Sequence, residues 1–159
     1  MNSIYPFIKW ADETWVHKVI NDSKWLFPAI EGVHIVALAL LFGAVIVLNL
    51  RLLGVVMRQR PATELVRELA PWTLCSLVVI LTTGVLLFLS EATKSFHSTP
   101  FRIKIVLLVS AIVFHYTVSR RIMTREDVTP HPLVAKTAAV LGIGLWISVG
   151  FAGRAIGFF

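Results

Sequence analysis

The sequence is poor in cysteine and in charge, and each shortage excludes a class of protein. Cys75 is the single cysteine, so neither an internal disulfide nor a thiolate cage around zinc can form. No CxxCH motif is present, which excludes covalent attachment of a c-type haem. Charged residues make up only 15% of the chain, whereas a soluble domain carries about 25%. These shortages argue against a soluble domain held by disulfides or zinc.

Apolar residues are in excess. They make up 57% of the 159 residues, and the mean hydropathy is +0.79. Soluble domains usually contain about 45–50% apolar residues, so the excess is too large for a single core and predicts a membrane protein. The net charge of +6 would also suit nucleic acid, but the basic residues flank apolar runs, where they meet lipid headgroups. No basic, aromatic-interleaved surface for nucleic acid is present.

Four apolar stretches reach the roughly 20 residues that a helix needs to cross a bilayer. They cover residues 26–50, 74–90, 101–119 and 133–152. A proline lies near the N-terminal end of each stretch, at positions 28, 71, 100 and 132, where a helix start tolerates the missing N–H. The sequence therefore predicts an all-α protein, with an antiparallel four-helix transmembrane bundle over residues 26–159. Small residues in the spans are compatible with a homo-oligomer.

Residues 1–25 form a separate predicted unit, an amphipathic helix over residues 6–25 that lies on the membrane surface. Its apolar side chains recur at every fourth position, at Phe7, Ala11, Trp15 and Val19, and charged residues lie elsewhere around the helix. We expect His17 to lie on the polar face. No basic stretch followed by an apolar segment precedes it, so we expect no cleaved signal peptide.

The distribution of basic residues predicts the orientation. The loops after the first and third spans hold more Arg and Lys than the opposite side, once Lys104 and Arg154 are assigned to the bundle. Such loops stay in the cytoplasm. We therefore expect a multi-pass protein of the bacterial inner membrane with both termini in the periplasm.

Four ionisable side chains are predicted to converge at the outer end of the bundle. The helix rise places His34 and Lys104 each roughly 9 Å outward of the membrane midplane. Glu31 lies one turn further out on the face of His34, and Arg154 closes the fourth span on the same side. Ionisable groups within a membrane mark a functional site by default. The alternative is that these side chains only extend to the lipid headgroups.

These residue types suit haem b. Neutral imidazole is a common ligand of haem iron and of copper, so His34 is the candidate axial ligand. Glu31 would accept the second ring N–H of His34 and fix its orientation. Lys104 is either the opposing ligand or a partner of the haem propionates, and Arg154 would neutralise charge. The predicted aromatic walls are Phe42, Phe88, Phe101 and Trp146.

The remaining histidines allow other sites. His115 lies roughly 16 Å from His34 along the membrane normal, too far for both to bind one metal. It is a second candidate metal or haem ligand, alone or with His131, and His97 is either a solvated loop residue or a cap over the outer site. Copper bound at His34 and moved past His115 is the alternative to haem. A structural partner without cofactor is the third class.

Short motifs along most of the chain resemble a bacterial family of small four-helix membrane proteins of unknown function. These motifs are WLFPAIEGVH, LFG, LNLRLLG, APWT, TTG, FRIK, FH and the closing GR. More distantly, HIVALALLFGAVIVLNLR and FRIKIVLLVSAIVFH resemble the HemJ-type protoporphyrinogen oxidases, and the topology is similar to CopD-type copper-resistance proteins. A histidine and a lysine serve haem b in the HemJ type, which implies those roles for His34 and Lys104. The HemJ type has a proline before its arginine, where Leu50 precedes Arg51 here.

The resemblance implies a haem b-binding membrane protein that acts in electron transfer or oxidation at the outer leaflet. A quinone or a periplasmic protein would be its redox partner. Whether it is an enzyme, as a haem-dependent oxidoreductase, is left open by the sequence.

Overall fold

The computed structural model describes residues 14–92, 98–124 and 132–155. Within these ranges the chain forms five helices and no strand. They are α1 (Trp15–Asp22), α2 (Leu26–Leu52), α3 (Ala62–Ser90), α4 (Thr99–Thr124) and α5 (Pro132–Ala155). Residues 1–13, which include the first part of the predicted surface helix, lie outside the described residues, as do His97 and His131.

Helices α2 to α5 are each long and apolar enough to cross a membrane. Their high hydropathy and their many exposed apolar side chains fit a bundle surrounded by lipid. The predicted all-α fold with four packed spans is confirmed, and the protein is a multi-pass membrane protein.

The four long helices are not packed equally. Helix α2 packs along α3, α4 packs along α5, and contacts between α2 and α5 join the two pairs. The buried core includes Ala37, Leu41 and Val45 of α2 and Trp146 of α5. Helices α3 and α4 meet mainly through the last part of α4, at Arg120–Thr124, and approach each other little elsewhere. A seam therefore runs between α3 and α4.

Helix α3 begins 12 residues before the predicted span, at Ala62, so Pro71 lies inside the helix and not at its start. The extra turns are amphipathic: Leu65 and Val66 are buried against Leu48 and Met123, while charged side chains face outward. An interior proline removes one helix hydrogen bond, and its ring crowds the preceding turn. The apolar run predicted this helix and its end correctly, but not its start.

Helix α1 packs across the end of the bundle at which α2 begins, here called the N-terminal end. His17 Nδ1 donates to the carbonyl of Leu89 in α3 at 3.1 Å, and Ile20 is buried. Trp15 is 75% exposed on the opposite side, which suits a tryptophan in the headgroup region. The prediction for His17 is wrong: its ring joins α1 to the end of α3.

Helices α2 and α5 are in close contact at Asn49 and Gly142. Asn49 is 1% exposed, and its Nδ2 donates to the carbonyl of Val45 at 2.8 Å. A Cβ atom on Gly142 would lie 2.7 Å from Oδ1 of Asn49, which is closer than such atoms can approach. An added methyl group at Gly142 would force the buried amide of Asn49 to shift.

We expect Gly142→Ala to lower the free energy of unfolding by about 1–3 kcal/mol, the usual cost of an overpacked core. Gly144→Ala is the matched control, because nothing lies within 4 Å of its added methyl group. Chemical unfolding in detergent micelles measures both. Equal stability of the two variants would contradict this close approach.

Candidate functional site

An apolar cavity of about 440 Å³ lies among the four long helices, toward the N-terminal end. All four predicted aromatic wall residues line it. Phe88 of α3 and Phe101 of α4 stack with their ring centroids 5.3 Å apart, and so bridge the seam at one end of the cavity. Leu81, Val85 and Ile105 line the cavity and are also exposed, so the cavity opens along the seam toward lipid.

His34 and Lys104 are the two ionisable side chains in the lining of this cavity. They come from α2 and α4, which are on different sides of the bundle. The structure thus brings together the two residues on which the sequence prediction depended.

The hydrogen bonds of His34 define which ring nitrogen is available. Nδ1 lies 2.7 Å from Oγ1 of Thr83, and Thr83 donates its hydroxyl hydrogen to the carbonyl of Val79 at 2.6 Å. Since a hydroxyl has one hydrogen, Thr83 accepts from His34, and the ring carries its proton on Nδ1. Nε2 then keeps a free lone pair, as a metal ligand must.

Thr83 therefore takes the orienting role that was predicted for Glu31. Glu31 lies one turn before His34 on α2. It is exposed and does not line the cavity. Gly84, the neighbour of Thr83, lies beside the ring, and a Cβ there would be in ordinary van der Waals contact with Cε1 of His34, at 3.5 Å. In the structure, the side chain that hydrogen-bonds the His34 ring is thus on the adjacent helix.

Lys104 lies against Gly153 of α5, where an added Cβ would be 3.5 Å from its Cε and Nζ atoms. Its side chain is partly buried. No carboxylate in the described part of the chain lies within ion-pair distance of its ammonium group. A buried charge needs compensation, so an anionic or strongly accepting group of a ligand would be stabilised here.

Arg154 is exposed in the last turn of α5 and does not line the cavity. Of the four residues predicted to converge, the structure brings His34 and Lys104 into one cavity. It leaves Glu31 and Arg154 at the surface near the same end of the bundle.

A second cavity, of about 190 Å³, lies along the same seam toward the opposite end, here called the Arg51 end. His115 lines it and is 7% exposed, within a π-helical turn of α4, His115–Ser119. The ring of His115 meets Tyr116 edge-on, with centroids 5.1 Å apart, and its Nδ1 has no hydrogen-bond partner in the described part of the chain. As the helix rise predicts, His34 and His115 belong to separate cavities.

Metal-ligating side chains do not cluster in the described ranges. No group of three or more His, Cys, Asp or Glu residues that could hold a metal ion occurs there. Among the described lining residues, each cavity has a single histidine.

Sequence reasoning missed Thr83, Gly84 and Gly153. The first two lie in the TTG motif of α3, where a hydroxyl beside a glycine allows another helix to place a ring against the backbone. Gly153 precedes Arg154, which drew attention because of its charge. These signals become informative only after the contacts between helices are known.

The comparisons with known proteins give a family. Residues 7–159 match DUF6644, a family of unknown function. No curated protein and no solved structure matches the chain. Because the match covers nearly the whole sequence, the chain belongs to the DUF6644 family.

Proposed function

We propose that this protein binds haem b in the larger cavity and acts in electron transfer or oxidation. The observation that carries the proposal is the free Nε2 of His34, held by Thr83 in an apolar cavity that also contains the ammonium group of Lys104. The resemblance to HemJ-type enzymes, in which a histidine and a lysine serve haem b, points to the same two residues.

The residues present fit such a group. The volume of about 440 Å³ is within the usual range of cofactor sites, and the aromatic walls suit a flat, apolar ring system. His34 would provide the axial nitrogen, and Lys104 would pair with a propionate. Haem iron would supply one-electron redox chemistry, while the apolar walls would exclude water.

Copper receives less support. The CopD-like topology suggests it, but His34 and His115 line separate cavities, and the described residues contain no cluster of ligands. We therefore keep haem b as the proposed cofactor.

We also propose a location in the bacterial inner membrane, with the His34 end toward the periplasm. The opposite end carries a cluster of arginines between the first two apolar stretches, as expected for a cytoplasmic side. They are Arg51, Arg58, Arg60 and Arg67. The redox partner would then be a quinone or a periplasmic protein.

A visible spectrum of the detergent-purified protein tests the proposal. Cells supplied with haem precursor should yield a coloured protein whose Soret band shifts on reduction with dithionite. Metal analysis should find iron in proportion to the haem. A colourless protein from these cells, or one that contains copper and no porphyrin, would overturn the proposal.

The role of Lys104 leads to a separate prediction. We expect Lys104→Met to lower haem affinity roughly tenfold, because a hydrogen-bonded charge pair is lost. Lys104→Arg should retain most of the affinity, since it keeps the charge, and Lys136→Met, on the exposed surface of α5, should have no effect. Titration of the apoprotein with haem measures all three.

A different result would reassign Lys104. If Lys104→Arg loses haem as Lys104→Met does, and the remaining haem changes its spin state, Lys104 is the opposing iron ligand. Its ammonium would then have to lose a proton on binding.

A further inference from the structure

The smaller cavity, like the larger one, lies between α3 and α4, but its lining residues are different. It lies on the α3–α4 seam and is bounded by Pro71 and Leu74 of α3, both exposed, and by His115 and Tyr116 of α4. Two helix irregularities thus meet at this cavity, an interior proline in α3 and a π-helical turn in α4. π-helical turns within α-helices are frequent at functional sites.

His115 faces this cavity as a hydrogen-bond donor. Its Nδ1 is enclosed without a partner among the described residues, which leaves Nε2 for the cavity. An enclosed N–H without an acceptor is costlier than an unused acceptor lone pair, so the proton of the neutral ring belongs on Nε2. The ring therefore presents an N–H to any group inside the cavity.

The depth of the cavity limits what the group can be. Helix α3 carries no charged residue after Glu68, and α4 carries none between Lys104 and Arg120. Pro71, Leu74 and His115 therefore lie just inside the uncharged section of the bundle, with Arg120 at its edge. Arg120 also lines the cavity and supplies a positive charge there, which favours a group with negative or partial negative charge. A neutral carbonyl oxygen meets this condition and can accept from His115, and it loses less hydration than an anion on entering the bundle.

We propose that the cavity beside His115 binds the ring carbonyl of a quinone dissolved in the membrane. A volume of about 190 Å³ admits a six-membered ring with its substituents but is less than half that of the larger cavity. The opening past Leu74 along the seam lets an isoprenoid tail remain in lipid. The binding site stands on its own geometry, and only its redox meaning rests on the proposed haem.

Photolabelling with an azido-quinone that carries a decyl tail tests this site, with the full-length protein in phosphatidylcholine nanodiscs. Mass spectrometry should locate the label on peptides that contain Pro71–Leu74 or His115–Arg120. Unlabelled decyl-quinone should compete for the site. His115→Phe should reduce labelling roughly tenfold through loss of one hydrogen bond, and His115→Gln should retain most of it because the amide keeps a donor.

A second pair of variants avoids the buried histidine. Leu74→Trp places a large side chain at the mouth of the cavity and should abolish labelling. Val78→Trp is its matched control, since Leu74 and Val78 are both 56% exposed on α3 and Val78 lines neither cavity. Equal labelling of the two tryptophan variants, or of His115→Phe and the unmodified protein, would overturn the proposal.

Two further outcomes would also overturn it. One is labelling that added phospholipid displaces and decyl-quinone does not, because a lipid ester carbonyl would then occupy the cavity. The other is label found only beside His34. A quinone site found in a protein that binds no haem would leave this inference intact and remove only its link to the proposed function.

Discussion

Purified His34→Ala protein is expected to lack the Soret absorbance of the unmodified protein. The substitution removes the imidazole nitrogen proposed to bind the iron, and among the described residues no other histidine lines that cavity. Without an axial ligand, haem would be held only by apolar contacts and by Lys104. We expect the ratio of haem to protein, measured as the pyridine haemochrome, to fall below a tenth of the unmodified value.

A rescue experiment distinguishes ligand loss from misfolding. Removal of the imidazole enlarges an existing cavity, so free imidazole added to His34→Ala should enter it and restore part of the absorbance. His17→Ala is the control, because His17 lies outside the cavity on α1. Undiminished haem in His34→Ala would refute the ligand assignment.

The second large effect on haem affinity is expected from substitution of Thr83, which contacts His34 and would not bind the iron itself. Thr83→Val keeps the shape of the side chain but removes the oxygen that accepts the Nδ1 proton of His34. The ring then loses its fixed tautomer and orientation, and loss of such an orienting group typically weakens metal binding 10–100-fold. Titration of the apoprotein with haem should show a loss of affinity of this size.

Thr83→Ser and Thr82→Val are matched controls for this substitution. Serine keeps the hydroxyl and should keep most of the affinity. The hydroxyl of Thr82 donates to Val78 on the exposed side of α3, so its loss should leave haem binding unchanged. The orienting role of Thr83 would be excluded if Thr83→Val and Thr82→Val bound haem equally well.

The four spans could be predicted from the sequence, but not every residue at which a helix begins or ends. An unbroken apolar run identifies a membrane helix because lipid-facing and core-facing positions are both apolar. Such a pattern ends where charge begins, whereas a helix continues as long as its backbone hydrogen bonds form. Residues 62–73 carry three charged side chains and a proline, so their helical continuation on Leu65 and Val66 was not recognised.

The pairing of His34 with Lys104 could be predicted because depth along a helix follows from residue number alone. The direction in which a side chain points around the helix axis does not follow from residue number, because the spans have no strong polar face that would define it. For this reason the sequence suggests Glu31, on the same helix face, as the partner of His34 and gives no sign of Thr83, which is on another helix. The two cavities could not be predicted either, because they depend on how α3 and α4 pack against each other.

The open seam between α3 and α4 has a consequence for how ligand binding must be measured. A molecule that enters from the hydrocarbon is in equilibrium with the bilayer, so its occupancy follows its mole fraction in lipid. Dilution with buffer should leave the occupied fraction unchanged, whereas addition of empty vesicles should lower it. Dissociation constants expressed per litre of water would therefore vary with the amount of membrane in the assay.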